Sequence, residues 1–139
     1  MQRDPRREAI PESEMESIAR RFHERQLQAP IESMAALIHA DAEMALVVSE
    51  LEPLYGRDQV LARLSQAREA MIYSATVDRC EVLDEATLLL RGPARYAMDQ
   101  GVGHSTVFWV YEFRDGFLWR VRAFWSETEA RKAYEARRA

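Results

Sequence analysis

The stretch HSTVFWVYEFRDGFLWRVRAFW, residues 104–125, decides the fold. Arg114-Asp115-Gly116 divides it in two, because a glycine after an aspartate takes positive φ without a Cβ clash and closes a tight hairpin. Alternation in the first half places Ser105, Val107, Trp109, Tyr111 and Phe113 on one face. It places Thr106, Phe108, Val110 and Glu112 on the other. An antiparallel strand covered on one side alternates apolar with polar, whereas both faces here are largely apolar and are expected out of water. The second half divides likewise, with Trp119, Val121, Ala123 and Trp125 on one face and Leu118, Arg120, Arg122 and Phe124 on the other. Arg120 and Arg122 then lie near Glu112, as structural ion pairs across the outer face.

Outward from this hairpin, a period of two extends back to Tyr73 and predicts four antiparallel strands over about 73–83, 86–97, 104–114 and 117–125. Upstream the period is helical. Ser13 and Glu16 have capping-box spacing, and Met15, Ile18, Ala19 and Phe22 form one apolar stripe. Pro30 opens a second short helix with Ile31, Met34, Leu37 and Ile38 buried, and His39-Ala40-Asp41 closes it. A short strand is expected at 43–48. Gly56-Arg57-Asp58 starts a third helix, and Ser126 caps a last one over Glu127 to Arg137. Helices first and a meander sheet afterwards make an α+β plan, with the helices on one face of the sheet. The second face then needs another cover, and a second copy of the sheet supplies it, which predicts a homodimer through Phe108, Val110 and Phe124.

The chain has 139 residues, with Lys+Arg 19 against Asp+Glu 23, and its net charge of -4 leaves no excess to hold a phosphate backbone, so no nucleic-acid partner is expected. The segment MQRDPRREAIPESE has no apolar run and reads as neither signal peptide nor membrane anchor. A cytoplasmic location is the default expectation. Residues 1–12 read as a flexible N-terminal arm and 13–139 as a single domain. Cys80, the only cysteine, excludes an intrachain disulfide and reads as an inert packed thiol.

Three short motifs in order carry a family resemblance: Leu37-Ile38-His39-Ala40-Asp41-Ala42-Glu43, Tyr55-Gly56-Arg57-Asp58-Gln59-Val60, and Phe113-Arg114-Asp115-Gly116-Phe117-Leu118-Trp119-Arg120. With the element order, they resemble the NTF2-like superfamily in its SnoaL-like and ketosteroid-isomerase-like branch, over about residues 14–135. The resemblance implies a conical curved antiparallel sheet wrapped by N-terminal helices, usually dimeric, with an apolar pocket open at one end. It implies a lining of Phe22, Leu46, Val107 and Trp109, together with Tyr111, Val121 and Trp125.

The family's working carboxylates are missing where this sequence aligns with them. Ketosteroid isomerases need a tyrosine, a carboxylate base and an oxyanion acid, and Phe22, Leu46 and Trp109 stand there instead. The epoxide-hydrolase-like Arg-x-Asp is matched only by Arg91-Gly92-Pro93, with Ala123 on the last strand. The aspartate of SnoaL-type cyclases is matched by Phe124-Trp125-Ser126.

The polar candidates that remain are Tyr96, His23, His104 and Asp99, followed by His39, Tyr55, Tyr73, Arg91 and Arg95. Tyr96 shares a face with Leu88, Leu90 and Ala94 and is the one expected to reach a cavity. His104 and Asp99 flank the Gly101-Val102-Gly103 turn. His39 reads as a surface residue and His23 as facing solvent. No trio of His, Asp or Glu has metal-site spacing, and Gly101-x-Gly103 lacks the strand-to-helix setting of a phosphate loop, so no cofactor is expected. Two readings follow. One is a dimer that binds a small hydrophobic molecule in a conical pocket, with a lyase, cyclase or isomerase step as the class the resemblance implies. The alternative is a non-catalytic interaction or scaffold domain.

Overall fold

The computed structural model describes residues 12–28, 31–45, 53–70, 73–98 and 101–138. Helix α1 (Glu12–Gln28) begins one residue before the expected cap, and its stripe of Met15, Ile18, Ala19 and Phe22 is buried as the spacing requires. A 3-10 segment, Ile31–Leu37, takes the place of the second helix. Ile38 opens strand β1 (Ile38–Met44) instead of ending that helix, because it pairs with Leu118. The short β2 (Leu54–Tyr55) pairs antiparallel with β1. Gly56 follows at φ 86, and its N–H donates to the Ala42 carbonyl at 2.7 Å, where helix α2 (Arg57–Ala70) begins.

The remaining strands are β3 (Tyr73–Ala75), β4 (Arg79–Asp84), β5 (Thr87–Met98), β6 (Gly101–Arg114) and β7 (Phe117–Phe124), and helix α3 (Glu127–Arg138) follows. The seven strands form one curved, unclosed sheet in the order β2-β1-β7-β6-β5-β3, with β4 also on β5. Its pairs are antiparallel except β1 with β7, so the sheet is mixed. In the β6–β7 turn, Asp115 (φ 53) and Gly116 (φ 84) both take positive φ, as a twist-matched two-residue hairpin requires.

The strand expected over 73–83 is interrupted. Ala75 pairs with Ala94 and Arg79 with Arg91, so the edge carries one residue more than β5 there. The Thr76 N–H donates to the Pro93 carbonyl at 3.2 Å, and the Asp78 N–H donates to that of Arg91 at 2.9 Å. Pro93 has no N–H to offer the edge, which is why a proline is tolerated at this bulge.

One large core lies between the inner face of the sheet and the helices. It joins Phe22 of α1 and Val60 of α2 to Leu88 and Leu90 of β5, Val107, Trp109, Tyr111 and Phe113 of β6, and Leu118 and Val121 of β7. A second, smaller cluster lies on the outer face, where Ala130 of α3 covers Leu89 and Val110, with Leu83, Phe108 and Phe124 packed around them. The helices therefore do not all gather on one face. Ser126 accepts the Glu129 N–H at 3.1 Å and caps α3, as its sequence predicts, but the helix turns back across the sheet. Val110, expected at a dimer contact, is 1% exposed because α3 of its own chain lies over it. Among the described residues, no helix is long and apolar enough to cross a membrane.

Candidate functional site

The inner face is built by strand alternation from β6. The β5–β6 register sets Leu90 against Trp109 and Leu88 against Tyr111, and the β6–β7 register sets Tyr111 against Val121 and Trp109 against Ala123. Side chains of cross-strand partners point to the same face, so these pairs form a continuous apolar wall. Helix α1 closes it with Phe22, whose ring meets that of Tyr111 edge to face at 6.0 Å and 82°. Phe22, Trp109 and Tyr111 are 0%, 1% and 1% exposed. Burying each such side chain contributes about 1.5–3 kcal/mol. Val107 and Val121 are buried beside them.

Of the seven residues expected to line the pocket, Phe22, Val107, Trp109, Tyr111 and Val121 are brought together here. Leu46 lies outside the described residues. Trp125 is elsewhere: it follows the last residue of β7 in the bend before α3 and is 49% exposed, so strand alternation no longer governs where it points.

A bulge also moves Trp119 off the inner face. Glu112 pairs with Arg120 and Phe113 with Leu118, which leaves Trp119 as the extra residue on β7. Leu118 turns inward and is fully buried, while the Trp119 ring takes the Arg120 guanidinium at 3.8 Å and that of Arg114 at 4.8 Å from its centroid. Re-aiming one side chain is a common effect of such a bulge.

Of the polar candidates, Asp99 lies outside the described residues, as do the side chains of His23 and Tyr96. The Tyr96 backbone pairs with Tyr73 and Gly103, at the end of β5 away from the Asp115-Gly116 hairpin. His104 is exposed and pairs with Arg95. His39, read as a surface residue, has a side chain only 12% exposed: its Nδ1 accepts the Asp41 N–H at 3.0 Å. Nε2 therefore carries the proton in the neutral ring and donates to Asp115 at 3.1 Å, which ties the hairpin to β1. Thr87 is the only polar residue among the described buried ones, tyrosine and tryptophan aside, so the described buried residues of this wall include no carboxylate and no histidine. No group of three His, Cys, Asp or Glu among the described residues is placed to hold a metal ion.

The outer face carries the charge instead. Arg120 lies 2.8 Å from Glu43, as an ion pair and not an aligned hydrogen bond, since its Nε–H finds no acceptor in line. Glu112 stands opposite Arg120. Burial pushes the Glu112 carboxyl above the usual carboxylate range, against the smaller opposing pull of Arg120 and Arg122. Burial likewise lowers Arg122, whose Nη2 donates to the Ala133 carbonyl of α3 at 3.4 Å. Sequence reasoning missed that α3 docks here. Its usable signal was Ala130 with Tyr134 at helical spacing in an otherwise charged helix.

No protein-family model matches the sequence, and no curated protein matches it. Solved structures do match. An NTF2-like protein of unknown function from Cytophaga hutchinsonii superposes with a TM-score of 0.63 at 17% identity, over 81% of this chain and 96% of that one. A protein from Sinorhizobium meliloti assigned as a polyketide cyclase gives 0.66 at 18% identity, over 80% and 98%. The epoxide hydrolase/cyclase-like enzyme SalBIII, which has a role in pyran ring formation in the polyether salinomycin, gives 0.68 at 12% identity, over 84% and 94%. The chain has the NTF2-like, SnoaL-like fold. Likeness at this level of identity shows the fold, and the same fold serves many functions.

Proposed function

We propose that the chain binds a small hydrophobic molecule between α1 and the inner face of the sheet, against Phe22, Val107, Trp109, Tyr111 and Val121. The observation that carries this reading is the wall itself: aromatic side chains from two elements, Phe22 of α1 with Trp109 and Tyr111 of β6, converge on one apolar surface. Apolar walls with few polar groups are the usual make-up of small-molecule sites.

A lyase, cyclase or isomerase step on the bound molecule is the finer form of this proposal, supported by the names of the cyclase-like structures that share the fold. The described residues of the wall include no carboxylate and no histidine for it. Proton transfer would then fall to His23, which adjoins Phe22 in α1, or to Tyr96, which follows the buried Ala94 by two residues in β5.

The test is tryptophan fluorescence during titration with apolar polycyclic probes, a steroid and an anthracene among them. Saturable quenching that is lost in Trp109→Phe and kept in Trp125→Phe is the expected result. Quenching that survives in Trp109→Phe, or no quenching by any probe, would overturn the reading.

A further inference from the structure

We propose that Ser105 is the residue that selects the ligand, its hydroxyl taking one uncharged oxygen, a carbonyl or a hydroxyl, at the end of an elongated apolar molecule. The proposal rests on the reading above that the inner face binds such a molecule, and it names the group by which that molecule is recognised.

Strand alternation puts Ser105 on the inner face with Val107, Trp109, Tyr111 and Phe113, and of these five it alone is neither apolar nor aromatic. The other four are 5% exposed or less, whereas Ser105 is only half-buried. The reason lies in the sheet. Strand β7 ends at Phe124, opposite Phe108, so Ser105 stands three residues beyond the strand that flanks the rest of the wall. On the other side, the register sets Ser105 against Ala94 and Ala94 against Ala75, both buried. This row of side chains is lower than those nearer the hairpin, where Leu90 stands beside Trp109 and Leu88 beside Tyr111. Helix α1 spans the same edge, since Arg20 donates to the Val77 carbonyl at 3.4 Å. The inner face is therefore filled at the Tyr111 end, where Phe22 closes it, and recedes at the Ser105 end.

The chemistry of that end defines what it accepts. A serine hydroxyl has one donor and two acceptor positions, so it can meet a ligand oxygen and keep a protein partner as well. Its surroundings disfavour charge. Ala75, Ala94 and Val107 beside it are apolar, and the adjoining Arg95 and His104 alternate to the outer face, where they are exposed. An ionised group would lose water there without gaining a counter-charge, whereas a neutral oxygen needs one hydrogen bond. Trp109 lies four residues further along β6, about 13 Å away. That spacing gives the ligand its shape, with the oxygen at Ser105 and the apolar end at Trp109.

The test is equilibrium dialysis of the full chain against an acetylanthracene and the matching ethylanthracene, which differ only by a carbonyl in place of a methylene. Wild type should bind the acetyl compound about tenfold more tightly, the worth of one good hydrogen bond. Ser105→Ala should abolish that preference by weakening the acetyl compound alone, and Ser105→Thr, which restores a hydroxyl, should keep it. Both variants should retain the wild-type circular dichroism spectrum. Equal binding of the two compounds by wild type, a preference that survives in Ser105→Ala, or one lost equally in Ser105→Thr would overturn the role of Ser105 while leaving inner-face binding in place. Binding of neither compound would overturn both.

Discussion

A Cβ placed on Gly92 would stand 1.7 Å from the Thr76 carbonyl oxygen, because the bulged edge between β3 and β4 crosses directly over β5 at that residue. The neighbour is backbone held by hydrogen bonds on both sides, at Thr76 and Asp78, so it has little freedom to move away. Gly92→Ala should therefore cost about 3 kcal/mol or more, at the upper end of overpacking penalties. Urea denaturation measures this, and a variant with the wild-type midpoint would show that the crossing does not form.

Trp109 and Trp125 should respond very differently to truncation. Trp109 is 1% exposed inside the main core, and replacing it by alanine should cost about 3–5 kcal/mol. Trp125→Ala, at a site 49% exposed, should cost about 1 kcal/mol or less. Thermal melts of the two variants make the comparison directly, and equal losses would contradict the placement of Trp125 outside the core.

At the β6–β7 hairpin, Gly116 at φ 84 should not tolerate a side chain, and Gly116→Ala should cost about 1–2 kcal/mol. Asp115→Gly keeps the positive φ available but removes the acceptor for His39. His39→Ala, which also removes the acceptor for the Asp41 N–H, should cost more, and the double variant should cost less than the sum of the two single losses. Additive losses in that cycle would show that the two side chains do not act together.

Glu112 and Glu81 should leave opposite signatures in the pH dependence of stability. Burial raises the Glu112 pKa in the fold, so the native state holds that proton more tightly than the unfolded chain does. Its contribution to stability falls as pH rises through the interval from the usual carboxylate range to the raised native value. Glu112→Gln does not titrate, and its melting temperature relative to wild type should therefore climb from acid to neutral pH. The hydrogen bond from Arg131 lowers the Glu81 pKa, so that contribution is present above the usual carboxylate range and is lost as pH falls through the lowered native value. The destabilisation by Glu81→Gln should accordingly shrink in acid. A pH-independent difference for either variant would contradict its assignment.

Much of the wall was legible in advance. Period two in residues 104–113 put Val107, Trp109, Tyr111 and Phe113 on one face, and helical spacing put Met15, Ile18, Ala19 and Phe22 on one stripe; all eight are buried together. Both patterns are local, since a side chain's direction along a strand or helix follows from backbone geometry alone. The same rule failed at Trp119 and Trp125. It assumes an unbroken strand, whereas a bulge inverts the faces beyond it and a strand end cancels them.

Residues read in isolation already specify α1, α2 and α3, the long strands β5, β6 and β7, the Asp115-Gly116 hairpin and the shared faces of α1 and β6, because these depend on φ preferences and on periods of two and 3.6 within one segment. Three further points rest on tertiary contacts: that the Trp119 ring takes the guanidiniums of Arg114 and Arg120, that Gly92 lies under the Thr76 carbonyl, and that α3 covers Val110. Each depends on which distant segment comes to lie alongside. That is settled by competition among long-range contacts, in this chain between β4 and β7 and the helix that follows them, and no short window of residues encodes it.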